Sequence, residues 1–486
     1  MVGGRPIADK ASAEGDPRVC GCAELASELS SAFFFRDLCA LDDDVFASNI
    51  VIRGNPAGRE RSRAEGASVL HGCHISERRG QLCWVVYAKG SLRSARALAC
   101  SLGLALLGCS SASERPAPPL EAGPLYASIN QEAIVSHLPL EEEIGDAMRL
   151  HFIDIGQGDA TLLEFPCGAV LIDTGGEQNE SFDSDAALRD YLDAFFARRP
   201  DLDRTLDLLL ITHPHIDHMR SVMTVLEGYR VRNVVDNGMT ESDHAEDPGA
   251  EQQSRMHAWL GAHPEVGHLD VKVNDIAGEE GLINELVDPV ASCGASEVDP
   301  KITVLWGAVT DELASYGLNP NNHSVAARVD FGQSSALFTG DLELVGLSRL
   351  ASKYASNPEI LDVDVYQVGH HGSKNATIHY LMELMSPTLA VISMGPYERL
   401  HPWTARKFGH PNIVSLEHLA NAKYGVSGWR EKPIEAWVGI KGAWKDERQE
   451  VFERRSVSRA IYATGWEGSV VVTAAASGQL AVDTER

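Results

Sequence analysis

The sequence predicts an α/β fold in which two sheets pack face to face with helices on their outer sides. Apolar strand-like runs recur in both halves of the region from Met148 onward. Stretches with helical spacing lie between them, and no repeat of solenoid period breaks the order.

Taken in order, RLHFIDIGQGDATLLEF is a strand, a Gly-rich turn and a second strand, and CGAVLIDTGG is a buried strand ending in a turn. Residues 183–198 place apolar side chains at helical spacing behind Ser and Asp capping types. LDLLLITHPHIDH is a continuous apolar strand running into a polar loop, with the helix MRSVMTVLEGY directly after it and the strand RVRNVVDNG beyond. Residues 240–300 are acidic and Gly-rich with few motifs. Strands return at KITVLWG, SVAARVDFG, SALFTGD, DVYQVGHH and LAVISMG. RAIYATGWEGSVVVTAAASGQLAV is expected to be a terminal hairpin turning at Glu467-Gly468.

The chain has 486 residues, 44% hydrophobic and 23% charged, as in ordinary globular proteins, but a formal charge of −27. From Met1 to Cys109 basic and acidic side chains nearly balance, so the excess of acid lies downstream. Such a field repels polyanions at long range and argues against long nucleic acid as a partner, while leaving room for a small or oligomeric phosphodiester. All the cysteines except Cys167 and Cys293 also fall between Met1 and Cys109, in no zinc-ribbon spacing. A disulfide framework is not expected. A Cys167–Cys293 bridge is open to the chain, but the sequence does not argue for it.

Residues 89–109 carry an export-type pattern. Lys89, Arg93 and Arg96 precede an apolar run from Ala97 to Gly108, too short to span a bilayer, which ends in Leu106-Leu107-Gly108-Cys109. This resembles a bacterial lipoprotein signal with Cys109 as the lipidated residue. The expected location is therefore an exported lipoprotein held to a membrane and facing the periplasm or cell surface. Residues 110–147, rich in Ser, Pro and Ala at their start, are expected to be a flexible linker. A signal works only at an N-terminus, so residues 1–88 are read as a non-native or disordered extension; the alternative for 89–109 is a buried helix of an N-terminal domain.

The chemistry concentrates in Thr212-His213-Pro214-His215-Ile216-Asp217-His218, just after a buried strand. Three imidazoles and a carboxylate on a proline-stiffened loop can converge on a small volume and suit zinc and related divalent ions. His213 and His215, two apart on an extended segment, point the same way.

HxHxDH, preceded by IDTGG and followed by FTGD and HHGS, resembles the ordered signature of the metallo-β-lactamase superfamily. FIDIGQGDATLLEF, NNHSVAARVDFG and VGHHGSKNAT are similar to the C-terminal extracellular domain of ComEC-type competence proteins, over residues 148–421 and 459–482. The resemblance implies an αββα sandwich of two mixed sheets over residues 148–486, with an insertion at about 422–458 that carries Trp429, Trp437 and Trp444. The membrane channel segments of ComEC are not in the sequence, so a role as a DNA-uptake pore is not implied.

The resemblance also implies roles. His213 and His215 would bind a first ion, Asp217 and His218 a second, with Asp341 bridging both and His370 completing the second set. His371 would stand beside them as a supporting or catalytic group, though the two neighbours are interchangeable. His323, placed shortly before Asp341, would be the third imidazole of the first set or else a turn residue. Asp173 would accept from a ligand imidazole, and Asp159 would orient its loop or touch substrate. Lys374 would hold an anionic leaving group or be simply solvated, and His410, with His401 as competitor, would donate to the substrate oxyanion. Two divalent ions, zinc favoured and manganese also suitable, would share a hydroxide that attacks the substrate, with Asp217 among the catalytic groups. The expected activity is phosphodiester hydrolysis; acyl hydrolysis, including of β-lactams, and an inactive metal-binding surface lipoprotein are the alternatives. Oligomeric state is not legible.

Overall fold

Two antiparallel strands, β1 (Cys73–Arg78) and β2 (Gln81–Val86), represent the first of two compact units, residues 1–120, in the computed structural model. The residues described are 73–78, 81–86, 134–135, 146–239, 248–309, 319–441 and 451–486. The signal-like segment 89–109 and Cys109 lie outside them, as does most of the expected linker.

In the second unit, residues 121–486, the order runs β3 (Ile134–Val135), β4 (Ala147–Phe152), β5 (Thr161–Phe165), β6 (Gly168–Ile172), β7 (Gln178–Asn179), β8 (Phe182–Asp183) and α1 (Ser184–Arg198). Then come β9 (Thr205–Leu210), α2 (Ile216–Met219), α3 (Val222–Gly228), β10 (Arg230–Asp236), α4 (Pro248–Ala262), β11 (Gly267–Asp270) and β12 (Lys301–Trp306). Next are β13 (Ala326–Phe331), β14 (Ser334–Phe338), α5 (Leu344–Lys353), β15 (Val365–Gln367), α6 (His379–Met385), β16 (Leu389–Ile392), α7 (Ala405–Phe408) and α8 (Ile413–Leu419). The last are β17 (Trp429–Lys441), β18 (Val451–Arg459), β19 (Ile461–Ala463), α9 (Thr464–Glu467), β20 (Val470–Ala475) and β21 (Leu480–Thr484).

One sheet has eight strands in the order β11-β10-β9-β6-β5-β4-β20-β21, and the other six in the order β12-β13-β14-β15-β16-β19. Alternation along the strands explains their packing. Phe165, Val170 and Ile172 join Val304, Val329, Leu337 and Val365 in the core between the sheets. Leu162, Ala169 and Leu171, on the opposite faces of the same strands, pack instead with Leu188, Leu192 and Phe195 of α1 and with Val222 and Val225 of α3. Every residue of β9 is buried, because it lies between parallel neighbours in a sheet covered on both faces. Asp183 caps α1, its Oδ1 accepting from the amides of Asp185 and Ala186 at 3.1 Å. The sandwich of mixed sheets is the architecture expected from sequence.

Three local expectations change. The terminal hairpin does not turn at Glu467-Gly468: β19 pairs with β16 in one sheet, α9 crosses over, and β20 pairs with β4 in the other. The hairpin proper is β20–β21, with Gly478 at φ 89° in its turn. The helix after the His-rich loop is two pieces, α2 and α3, because the Ser221 amide is drawn to the Thr174 carbonyl at 2.9 Å. The stretch read as poor in motifs contains α4, a helix of 15 residues.

The segment around 422–458 contributes the β17–β18 hairpin, with β3 alongside β17. Trp437 stacks on Tyr397 at 4.5 Å, and Arg459 lies over Trp429 at 4.0 Å; Trp444 is outside the described residues. Cys167 and Cys293 form a disulfide with Cα atoms 5.8 Å apart, closing a span of 126 residues. No helix among the described residues is long and apolar enough to cross a membrane.

Candidate metal centre

Parallel strands bring the chemistry to one edge. β6, β9 and β10 run parallel in one sheet and β14, β15 and β16 in the other, so their C-terminal ends deliver Asp173, the 212–218 loop, Asp341 and the His370-His371 turn. Loops at the carboxyl ends of parallel strands are the usual seat of function in α/β folds.

The loop is held from below. Asp173 accepts from the Thr212 amide, the Thr212 hydroxyl and His218 Nδ1, each at 2.7 Å. Gly175 passes directly under the same turn: a Cβ there would sit 1.7 Å from the Asp217 carbonyl oxygen. That close approach is why the IDTGG segment needs glycine.

With Nδ1–H given to Asp173, His218 presents the lone pair of Nε2 to the site. His371 is arranged in the same way, its Nδ1–H donating to the Ser393 carbonyl at 2.8 Å. The two Nε2 atoms are 3.3 Å apart. Asp341 Oδ2 lies 3.2 Å from His218 Nε2 and 3.5 Å from His371 Nε2, and Asp217 Oδ2 lies 3.3 Å from His371 Nε2. Ligand atoms about 2.0–2.2 Å from a shared ion at tetrahedral angles are roughly 3.3–3.6 Å from one another, so His218 Nε2, His371 Nε2 and Asp341 Oδ2, all within 3.5 Å of one another, fit one divalent ion, with Asp217 Oδ2 adjoining them at His371. Around it, burial pushes the His371 ring down in pKa, but Asp341 and Asp217 outweigh that and hold it at about 9.

His213 is fully buried and lies beside this group. Its Nε2 is 3.0 Å from His215 Nδ1 and 3.9 Å from Asp341 Oδ2, and its ring centroid is 4.2 Å from that of His218. Burial first, then His218 and His215, depress its pKa well below the ordinary range, which leaves it neutral and able to donate a lone pair. Three groups thus meet at His218: His213–His218–Asp341 and Asp217–His218–His371 on its Nε2 side, and Asp159–Asp173–His218, where Asp173 engages its Nδ1.

Of the two adjacent histidines, which the sequence left interchangeable, His371 is the one within reach of Asp217 and His218. His371, not His370, joins the Asp217–His218 group; His370 Nε2 stays 3.9 Å from Asp341 and 3.5 Å from Asn321 Nδ2, and its Nδ1 is 3.1 Å from Asn375. Both residues have left-handed backbone, φ 45° and 53°, and this turn swings the second ring inward. His323 is in none of these groups: its Nδ1 accepts the Val309 amide at 3.0 Å.

Asp159 is buried between the sheets, tied to Gln367 Nε2 at 2.5 Å and Thr161 Oγ1 at 3.1 Å, so it holds its loop. Burial, then the neighbouring Asp173 carboxylate, raise its pKa to about 7. His410 is the ring that reaches the site, with centroids 5.8 Å from His370 and 5.9 Å from His371. Burial, then His370 and His371, keep its pKa well below the ordinary range. Lys374 is exposed on the turn beyond His371. Sequence reasoning overlooked Thr212, which links Asp173 to the loop, and Gln157, whose Nε2 donates to His410 Nδ1 at 3.3 Å. Both lie inside motifs already visible, THPHIDH and GQGD, so their position was the available signal.

Comparison with known proteins agrees with this layout. Residues 153–291 match the model of the metallo-beta-lactamase superfamily. The chain is 27% identical over 281 residues to the ComE operon protein 3 of Bacillus subtilis, covering 55% of this chain and 30% of that protein. It is 39% identical over 98 residues to Recombination protein 2 of Haemophilus influenzae, covering 20% of this chain and 11% of the other. The chain thus spans less than a third of the length of these relatives. Among solved structures, the metallo-beta-lactamase fold protein YhfI of Bacillus subtilis aligns with a TM-score of 0.30 at 12% identity, over 51% of this chain and 85% of that one. Residues 153–291, which carry Asp173 and the His-rich loop, are thus similar to the metallo-beta-lactamase superfamily, and parts of the chain are similar to ComE operon protein 3 and to the competence protein ComA of Neisseria gonorrhoeae.

Proposed function

We propose that the domain is a metal-dependent hydrolase of small or oligomeric phosphodiesters. The observation that carries the reading is the set of two Nε2 atoms and two carboxylate oxygens, His218, His371, Asp217 and Asp341, with contacts of 3.2–3.5 Å. His213 and His215 would hold one ion and Asp217, His218 and His371 a second, with Asp341 shared; zinc suits the imidazole-rich set and manganese the carboxylates. Bound there, divalent ions supply Lewis acidity that activates water and stabilises developing negative charge.

The chain's own residues do the rest. Asp173 fixes the tautomer of His218, and the Ser393 carbonyl fixes that of His371. Gln157 donates to His410 Nδ1, which leaves His410 Nε2–H as a neutral donor for a substrate oxygen. Lys374, exposed three residues beyond His371, would hold an anionic leaving group. The relatives' names, a recombination protein and a competence protein, favour phosphodiester over acyl substrates. The acidic charge favours short substrates over long nucleic acid. The Cys167–Cys293 disulfide supports an oxidising compartment, in keeping with export and lipid anchoring at Cys109.

The test is metal analysis with a panel of bis-p-nitrophenyl phosphate, single-stranded DNA and nitrocefin. Chelator-sensitive turnover of the first two is expected. Turnover of nitrocefin alone would replace the reading with acyl hydrolysis. Bound metal with no turnover of any would make the domain a binding lipoprotein.

A further inference from the structure

A further histidine-carboxylate group shares no residue with those assigned above. Asp236 ends β10, His257 is on α4 and His268 is on β11. Asp236 Oδ2 is 3.1 Å from His257 Nε2 and 2.9 Å from His268 Nε2, and the two rings are 5.5 Å apart between centroids. All three candidate ligand atoms lie within 4.8 Å of one another. Asp236 is fully buried, whereas the His257 and His268 side chains are partly exposed, so the group has a closed floor and an open mouth.

We propose that Asp236, His257 and His268 form a separate divalent-cation site, taking a zinc-class ion with water completing the shell. Two imidazoles and a carboxylate are a common protein donor set for such ions, with an open coordination position. The ligand atoms of one tetrahedral ion are about 3.3–3.6 Å apart, so shifts of a few tenths of an ångström would seat it. The carboxylate is already oriented for one-oxygen ligation, because Asp236 Oδ1 is engaged by the Gly238 amide at 2.5 Å.

The position gives the ion work to do. β11 is the edge strand of the eight-stranded sheet and only four residues long. A short edge strand is a weak point unless it is covered or tied. An ion here cross-links β10, β11 and α4 at the sheet's open end. It would also steady Asn237, next to Asp236, whose Nδ2 donates to the His323 carbonyl at 3.1 Å and whose Oδ1 accepts from Gln253 at 3.2 Å.

The experiment compares the full chain with H268Q, and with the double variant H257Q/H268Q, after zinc loading and desalting. Metal per chain and the thermal midpoint are measured with and without EDTA. Loss of one ion per chain is expected, with a lower midpoint in zinc that merges with that of the parent in EDTA. An unchanged metal count overturns the proposal. So does a midpoint difference that persists in EDTA, because histidine–aspartate hydrogen bonds alone need no ion. H268Q, altering one partly exposed ring, is the variant that decides if the double variant does not fold. The site stands or falls separately from the proposed hydrolase, since no readout uses turnover.

Discussion

Asp173 holds His218 by a 2.7 Å contact from Oδ2 to Nδ1, and through it sets which nitrogen of that ring faces Asp341. The same carboxylate accepts the amide and hydroxyl of Thr212, so one buried side chain positions both ends of the His-rich loop. Asp173 has φ 57°, a conformation that Asn also tolerates. D173N therefore keeps the turn and removes the anionic acceptor. Metal affinity should fall roughly 10- to 100-fold, as when other supporting partners of ligands are lost. Chelator competition measures it, and unchanged affinity would reduce Asp173 to a turn-forming residue.

His371 and His370 should separate under substitution. H371A removes an Nε2 that lies 3.3 Å from that of His218 and 3.5 Å from Asp341 Oδ2, and is expected to lower turnover by more than about 100-fold. H370A, whose ring lies on Asn375 and Asn321, should cost less than about 10-fold. Kinetics on bis-p-nitrophenyl phosphate decide it; the opposite order would return His370 to the ligand set.

His323 accepts a backbone amide, so its removal should register in stability rather than in metal content. H323A leaves the buried Val309 N–H without that acceptor, a loss of about 1–3 kcal/mol in urea unfolding. Metal per chain should be unchanged. A missing ion would show that His323 ligates.

Acid should weaken the fold through Glu164. Burial pushes this carboxyl up, but hydrogen bonds with His151 and Arg199, the latter at 2.8 Å, hold it at about 2 against an ordinary 4.5. His151 is itself pushed down by burial, so near neutral pH Arg199 is the charged partner. A depressed folded pKa contributes stability that is full above pH 4.5 and lost as the pH falls toward 2. E164Q should flatten the parent's loss of thermal midpoint between those values. Parallel pH curves for parent and variant would remove Glu164 as the cause.

The Cys167–Cys293 bridge closes 126 residues, so its loss should cost about 2–4 kcal/mol. The pair C167S/C293S should melt lower than the oxidised parent and match the reduced one. Equal midpoints for oxidised and reduced parent would show that the bridge does not constrain the fold.

Much of the site was legible before folding was considered, because its groups are dense in sequence. THPHIDH places four donors on one loop, and IDTGG, FTGD and HHGS follow strands whose apolar runs are unmistakable. Less legible was anything set by backbone dihedrals or by contacts across the sandwich. Which of His370 and His371 faces Asp217 and His218 depends on two successive left-handed residues, which adjacency in sequence does not reveal. His323 shares the spacing expected of a ligand, yet its Nδ1 is engaged by the amide of Val309.

By itself, the sequence determined the class of the fold, the His-rich loop and the strand ends that carry acid and imidazole, since alternation and motif density are local properties. Only the tertiary structure decided which atoms meet. It sent β19 and β20 to different sheets, closed the Cys167–Cys293 bridge, and gathered Asp236, His257 and His268 from three elements. Each of these results from packing two sheets against each other and helices against them, which brings together residues that no sequence spacing links.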